Sequence, residues 1–289
     1  MSGSTRAFRT IPRLLYSRFE TLPSLGELRS RWKASLPKIS VLVPTHNHER
    51  WISRCLHGIL MQRTVHPFEV LVRDDASQDE TPEIVNLYAS RYPGVIHLFQ
   101  ETRNTFQTRC PISALSKLAT GSLTAYCEGD DFWIDSRKLE VQARLLLSRD
   151  NTSAVAHSAL LLRRGFVPRI IPRKCPEVFA QFDYESALLG IPTLSLMWRN
   201  EQPLPEEYMN TVLYRDIVLK MWLISQGPVD FLGNQPMGFY RVHASGVWSG
   251  SEPRARVREA LASLNASDHM LRDVALPPNI RQLSRIFDT

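Results

Sequence analysis

Three short apolar runs, Ile39-Ser40-Val41-Leu42-Val43-Pro44, Phe68 to Arg73 and Leu123-Thr124-Ala125-Tyr126-Cys127, each stop abruptly at a polar cluster. Helical patterns separate them: Glu49 to Gln62 places Ile52, Leu56, Ile59 and Leu60 on one face, Thr81 to Arg91 carries Pro82 in its first turn, and Pro111 to Thr120 follows. With Val95 to Phe99 as a further strand, the order is β-α-β-α-β-α-β. Parallel strands need crossovers of this length, so the rhythm predicts a mainly parallel sheet with helices on both faces. In such sheets ligands bind beyond the carboxyl ends of the strands. The three polar clusters are therefore expected side by side at one edge of the sheet.

The remainder is less regular. A helix is expected from Ser136 to Ser148, a strand from Ala154 to Leu162, and an exposed Pro- and Arg-rich loop from Arg163 to Pro176. Phe179 to Leu189, Tyr214 to Gln226 and Glu252 to Asp273 read as helices, and Val229 to Leu232 and Met237 to Val242 as strands. With 289 residues, 43% of them hydrophobic, the chain can bury a full core. No window approaches the roughly 18 uninterrupted apolar residues of a membrane span. Arginines scatter through the first thirty-odd positions, where a secretory signal would need an apolar core. The cysteines, Cys55, Cys110, Cys127 and Cys175, form no Cys-x-x-Cys pair, which indicates reduced thiols in a cytoplasmic protein rather than a zinc site or disulfide framework.

The net charge of +6 resides in residues 1–38, where eight Lys or Arg face two acids, Glu20 and Glu27. The rest of the chain is balanced, so the basicity belongs to an arm and not to a nucleic-acid-binding face. Ile11, Leu14, Leu15, Phe19 and Leu22 recur there at helical spacing beside Arg13 and Arg18. That pattern suits peripheral contact with anionic lipid at the inner face of a membrane, and equally a helix packed across its own domain.

The chemistry lies at the strand ends. The first run closes with Pro44-Thr45-His46-Asn47, the second with Asp74-Asp75-Ala76-Ser77-Gln78-Asp79, and the third opens into Glu128-Gly129-Asp130-Asp131-Phe132-Trp133. Acids packed this tightly repel one another and are best tolerated where a cation or a set of hydroxyls meets them. The competing reading is a solvated turn, since Gly and Asp also end strands for purely local reasons. Asp75 can accept the imide hydrogen of a uracil ring. Ser77 or Asp79 is left to cap the helix from Thr81.

These three motifs, in this order, resemble the family-2 glycosyltransferases of GT-A fold over about residues 38 to 250. The resemblance implies a GT-A catalytic domain at residues 38–250, preceded by a basic arm (1–37) and followed by a helical extension (251–289). It also implies an inverting enzyme that takes sugar from a nucleotide donor, usually a UDP-sugar, with Mn²⁺ or Mg²⁺ bridging the diphosphate. By the same resemblance Pro44, Thr45 and Asn47 would touch the uridine and Asp75 the uracil. Asp130 would hold the ribose or donor sugar, Asp131 the metal, and Glu128 would shape the turn or help hold the donor. Arg109 would add a cation near the diphosphate, although Thr105-Phe106 stands where a Gly often follows Asn104.

Inversion requires a base on the acceptor side of the anomeric carbon. Asp216, opening a helical pattern at Tyr214-Arg215-Asp216, takes that role; a helix-start Asp is also a frequent cap. The segment Tyr240-Arg241-Val242-His243, continuing to Trp248-Ser249-Gly250, resembles the end of the catalytic domain in relatives with the same acidic cluster. There His243 would complete the metal shell or meet the β-phosphate, Ser245 to Gly250 would close as a lid, and Trp248 would stack on a sugar or base or anchor on the core. The acceptor stays open between surface polysaccharide, lipid-linked glycan and peptide. Two rival readings are weaker: a nucleotidyltransferase wants a Gly-rich phosphate loop that Thr45-His46-Asn47-His48 lacks, and a non-catalytic glycan-binding module would not need Asp75, Asp131 and Asp216 together.

Overall fold

A computed structural model of the chain describes residues 22–163, 165–172, 178–179, 191–233 and 235–273. The four N-terminal apolar runs form strands β1 (Ile39–Thr45), β2 (Phe68–Asp74), β3 (Ile96–Gln100) and β4 (Leu123–Tyr126), all parallel, in the order β3-β2-β1-β4. Sequential β1, β2 and β3 step one way and β4 returns to the other side of β1. The reversal puts the ends of β1, β2 and β4 together, as the strand-end argument requires. The sheet continues with β10 (Met197–Arg199), antiparallel to β4, then β6 (Ala154–Ala156), β11 (Val229–Phe231) and the edge strand β9 (Val178–Phe179).

Alternation along β1 sorts the layers. Ile39, Val41 and Val43 face a cluster with Ile52, Leu56 and Ile59 of helix α2 (Ile52–Leu60) and Val85 of α3 (Thr81–Arg91). Leu42 faces the opposite cluster, which includes Ile112 of α4 (Pro111–Ser116) and Ile217, Val218, Met221 and Trp222 of α7 (Arg215–Gln226). Fully burying each aliphatic side chain of this kind contributes about 1.5–3 kcal/mol relative to exposure, so the two-sided sheet is where the stability resides. Met270 and Leu271 of the long helix α8 (Pro253–Asp273) join the α7 cluster, which seats that helix against the sheet layer.

A second sheet was not legible in the sequence. The expected strand Ala154–Leu162 is interrupted at His157-Ser158, where buried His157 donates through Nδ1 to Ser158 O at 2.8 Å. Nδ1 is thereby the protonated nitrogen of His157, since a carbonyl oxygen only accepts. The part beyond, β7 (Ala159–Arg163), leaves the main sheet and joins the order β5-β12-β7-β8, with β5 (Phe132–Trp133), β12 (Gly238–Val242) and β8 (Arg169–Ile171). Arg169–Ile171 falls in the stretch expected to be loop; it pairs antiparallel with β7 instead. Buried Trp133 holds this sheet to the first layer: its indole donates to Leu194 O at 3.0 Å, and a Cβ on Gly58 of α2 would stand 2.6 Å from its carbonyl oxygen. The helix from Leu25 to Ser30 (α1) begins with a capping box between Ser24 and Glu27 that the sequence reading passed over. The remaining helices are α5 (Lys138–Leu147) and α6 (Glu206–Met209). The amphipathic pattern Ile11–Leu22, except Leu22 itself, and the expected helix beyond Phe179 lie outside the described residues.

Candidate active site

The loops after β1 and β2 are tied to each other before any ligand is considered. Asp75 N donates to Thr45 O at 3.0 Å, Asn47 N to Ser77 Oγ at 2.8 Å, and Gln78 N to Asn47 Oδ1 at 2.7 Å. Asn47 and Ala76 both sit at positive φ, 55° and 60°, conformations that cost an L-residue energy and that the interlocking bonds offset. Asp79 does the capping: its Oδ1 accepts from Thr81 N at 3.0 Å while its Oδ2 accepts from Glu49 N at 3.0 Å. Ser77 Oγ bonds to Asp74 Oδ1 instead.

Asp75 is buried at the centre of this arrangement. It accepts from Thr105 N and Thr105 Oγ1 (2.9 Å) and pairs with the Arg73 guanidinium at 3.2 Å, so the third loop is fastened to the second through the same carboxylate. Oδ2 carries only a shared bond from Thr105 N and retains acceptor capacity. Arg109 stands apart from the acidic cluster: its half-exposed guanidinium lies 3.6 Å from Glu101, which also holds Arg73.

On the other side of β1, Gly129 N donates to Pro44 O at 3.0 Å, which pulls the acidic turn onto the first loop. A Cβ at position 129 would lie 2.6 Å from Thr45 Oγ1 and 2.9 Å from His48 Nδ1, so only glycine permits that approach. The acids that follow point different ways. Asp131 is buried and accepts the backbone N–H of Arg241 at 2.7 Å, a bond between the turn and β12 of the second sheet. Burial pushes its carboxyl well above the usual range, and the charges of Asp130 and Glu128 push it further. Asp130, expected to serve a hydroxyl, instead meets imidazoles: His243 Nε2 lies 2.8 Å from its Oδ2 and His48 Nε2 3.9 Å from the same atom. Burial raises this carboxyl, but the His243 hydrogen bond and the two histidines hold it below its ordinary value. The Asp130 carbonyl also accepts from Arg241 Nη1 at 2.6 Å.

Glu128 completes the group. Its Oε2 is buried without a hydrogen-bond partner, and burial, then the charges of Asp130 and Asp216, push its carboxyl up to about 8. Trp51 packs on the His243 ring at 4.2 Å between centroids, and the Arg241 guanidinium lies over Trp51 at 5.6 Å, so His243 is confined on its open side. His243 Nδ1 is 2.8 Å from Ser245 Oγ, and Ser249 Oγ donates to the His243 carbonyl.

Asp216 begins α7. It caps nothing in the first turn and forms an ion pair with Lys220 one turn on, 2.8 Å from Oδ2 to a buried Nζ. Trp248 packs on Tyr214, two residues before Asp216, with centroids 4.8 Å apart and the indole 43% exposed. The structure thus gathers Pro44, Thr45, Asn47, Asp75, Glu128, Asp130, Asp131 and His243 at the ends of β1, β2, β4 and β12, with Asp216 close enough to act on Glu128. Arg109, half-exposed beside Glu101, has no contact with these acids. The contacts of His48, Arg241 and Lys220 with these acids, and of Trp51 with His243, were missed, because no spacing in the sequence connects the partners.

Among the described residues no three His, Cys, Asp or Glu side chains form a ready-made metal cage. A cation that keeps waters and binds substrate phosphate needs only one or two protein ligands, and the donors at hand fit it. Asp130 offers carboxylate oxygen, His243 a nitrogen beside it, and the unpartnered Glu128 oxygen lies in the same turn.

A mainly parallel sheet with carboxylates at the ends of β2 and β4, on either side of β1, and a histidine delivered to them from the end of β12, frames one polar site at the carboxyl edge of the sheet. Residues 40–162 match the family model described as Glycosyl transferase family 2, so this segment is a family-2 glycosyltransferase domain. An uncharacterised protein of Mycobacterium tuberculosis is 30% identical over 211 residues, covering 73% of this chain and 60% of that protein. The chain therefore spans about 60% of the length of these mycobacterial relatives. A putative teichuronic acid biosynthesis glycosyltransferase of Bacillus subtilis, TuaG, is 25% identical over 78% of this chain and 86% of its own. Among solved structures, S. aureus TarS in complex with UDP-GlcNAc shares the fold with a TM-score of 0.64 at 19% identity, over 83% of this chain and 68% of that one. A Pyrobaculum calidifontis mannosyltransferase in complex with GDP-Man and Mn²⁺ does so with a TM-score of 0.59 at 20% identity, over 97% and 77%.

Proposed function

We propose that the chain is a metal-dependent, inverting glycosyltransferase that takes sugar from a UDP-sugar and delivers it to a glycan or lipid-linked acceptor of surface polysaccharide. The observation that carries the reading is the Asp130–His243 pair, 2.8 Å apart and drawn from two different sheets, beside an unpartnered Glu128 oxygen. A carboxylate held ionised and an imidazole so placed are suited to a divalent ion, and on the strength of this pair the reading assigns the metal role to Asp130, with Asp131 the ligand expected from the resemblance. The ion would neutralise charge gathering on the leaving diphosphate, an effect worth several kcal/mol. The relatives bound to UDP-GlcNAc, and to GDP-Man with Mn²⁺, support nucleotide-sugar and metal use of this kind.

The side chains divide the remaining work. Asp75, with a free lone pair on Oδ2, receives the uracil imide, and the latched first loop at Thr45 and Asn47 supports the nucleoside. Asp216 takes the acceptor hydroxyl proton, with Lys220 orienting its carboxylate. Trp248 on Tyr214 covers the acceptor side of that carboxylate. Glu128, pushed up to about 8 by burial and then by the charge of Asp130, would add a further oxygen beside the ion.

A thermal-shift series with UDP, GDP and their sugars, with and without Mn²⁺, tests the reading, since ligands that bind only the folded state raise its stability. UDP compounds should stabilise only with the metal present, and transfer or slow hydrolysis of the donor should accompany binding. Stabilisation by none of them would remove the reading, and tight binding without any turnover would make the chain a binding module.

A further inference from the structure

Large apolar side chains exposed on the molecule are concentrated at one end of the second sheet. Of nine such residues among those described, five lie in two segments: Phe166 (62%), Val167 (66%) and Ile170 (37%) on the β7–β8 hairpin, and Val247 and Trp248 after β12. Strands β7 and β12 are parallel, with Arg163 opposite Val242, so the chain leaves both strands at the same end of the sheet. The hairpin tip is therefore neighbour to the segment that begins with His243.

Charge marks the same place. From Leu160 to Lys174 the sequence contains Arg163, Arg164, Arg169, Arg173 and Lys174 and no acid, and Gly238 to Ser251 holds no acid either. Among the described residues neither Arg163 nor Arg169 has a carboxylate within ion-pair distance. The Arg163 guanidinium lies over the Phe166 ring at 4.8 Å, and Phe166 N donates to Arg163 O at 3.0 Å, which closes the turn around Gly165 at φ 82°. A cation beside an exposed aromatic face is the arrangement of an interfacial anchor, with the ring at the acyl boundary and the guanidinium at phosphate level. Among the described residues no acid pairs with either arginine of this patch. A second copy would set one cationic hairpin against another, and like charges oppose that pairing.

We infer that the β7–β8 hairpin is a docking element for an anionic lipid bilayer, inserting Phe166 and Val167 while Arg163 and Arg169 engage lipid phosphates. The surface is distinct from the basic N-terminal arm and would present the mouth of the site, through the segment 243–250, to the membrane plane. Binding to lipid is independent of the catalytic reading, because it requires neither nucleotide nor metal.

Co-sedimentation of the full chain, free of nucleotide, with vesicles of phosphatidylcholine alone and of phosphatidylcholine with phosphatidylglycerol tests the inference. The chain should sediment with the anionic vesicles and not the neutral ones. Phe166→Ser with Val167→Ser, and separately Arg169→Glu, should weaken binding about tenfold or more. Leu87→Ser, an equally exposed change in α3, should leave it unaltered. A Phe166→Trp variant should add emission that brominated lipid quenches. Failure of the wild-type chain to bind anionic vesicles, binding undiminished in the hairpin variants, or an absence of quenching would each overturn the inference. So would a dimer in sedimentation that the Phe166→Ser/Val167→Ser pair makes monomeric, which would show a second copy covering the patch. Unchanged thermal unfolding of the variants separates these outcomes from misfolding.

Discussion

The backbone N–H of Arg241 donates to Asp131 Oδ1 at 2.7 Å, while the side chain of the neighbouring Asp130 turns to His243 at the same 2.8 Å range. Two adjacent acids thus serve different ends: one fastens β12 to the acidic turn, and the other faces the site.

Exchanging the two should separate stability from binding. Asp130→Ala is expected to weaken Mn²⁺-dependent nucleotide binding by about a hundredfold with little change in unfolding, since its loss leaves no buried backbone donor unpaired. Asp131→Ala should cost about 1–3 kcal/mol of stability by stranding the Arg241 amide. Denaturant titration and calorimetric binding of both variants would check the division, and loss of metal binding only in the Asp131 variant would reverse it.

Asp216→Asn should reduce transfer by about 10²–10⁴-fold while leaving the nucleotide dissociation constant within error. Lys220→Met removes the ion pair but keeps the stem, and should lower the transfer rate without weakening nucleotide binding, because Asp216 loses the partner that fixes its rotamer. Steady-state kinetics beside denaturant unfolding distinguish that from a packing defect, which would lower stability as well.

Gly129→Ala places a methyl 2.6 Å from Thr45 Oγ1. It is expected to destabilise the chain by about 1–3 kcal/mol and to abolish nucleotide-dependent thermal stabilisation. An Ala variant that binds UDP as the wild type does would show that the turn and the first loop need not touch.

Lys138 is fully buried, its Nζ 2.6 Å from Gln142 Oε1 and 3.9 Å above the Trp133 ring. Burial lowers its pKa from 10.5 to about 7, so above neutrality the native state has released a proton that the unfolded chain retains. This group therefore makes stability rise with pH between about 7 and 10.5, and its destabilising effect is fully present below 7. Lys138→Met should raise the melting temperature most at acidic pH and least near pH 10, measured as the difference from wild type. A difference constant across pH would mean the amine is charged and satisfied in the fold.

The first half of the fold was legible because its strands are buried on both faces and end where the polarity changes, as at Val43-Pro44 and Arg73-Asp74. The second sheet was hidden because its strands are short and their partners distant: Phe132–Trp133 pairs with Gly238–Phe239 more than a hundred positions away. For the same reason the sequence could nominate Asp130, Asp131 and His243 but could not assign their roles, which depend on which atom of β12 reaches back to which acid. Arg109 was nominated from its loop, and its 3.6 Å contact with Glu101 in the preceding stretch had no signal in the sequence.

The latch between Asn47, Ser77 and Gln78 has a kinetic meaning. Because the nucleoside end of the cleft is assembled by the protein's own hydrogen bonds, a donor entering there finds its seat ready and need not wait for a loop to order. The segment that follows His243 has no comparable ties to the first sheet beyond the histidine itself. Turnover is accordingly expected to be ordered, with the nucleotide sugar arriving first and quickly, and the acceptor admitted only afterwards to a surface that the bound donor has helped to finish.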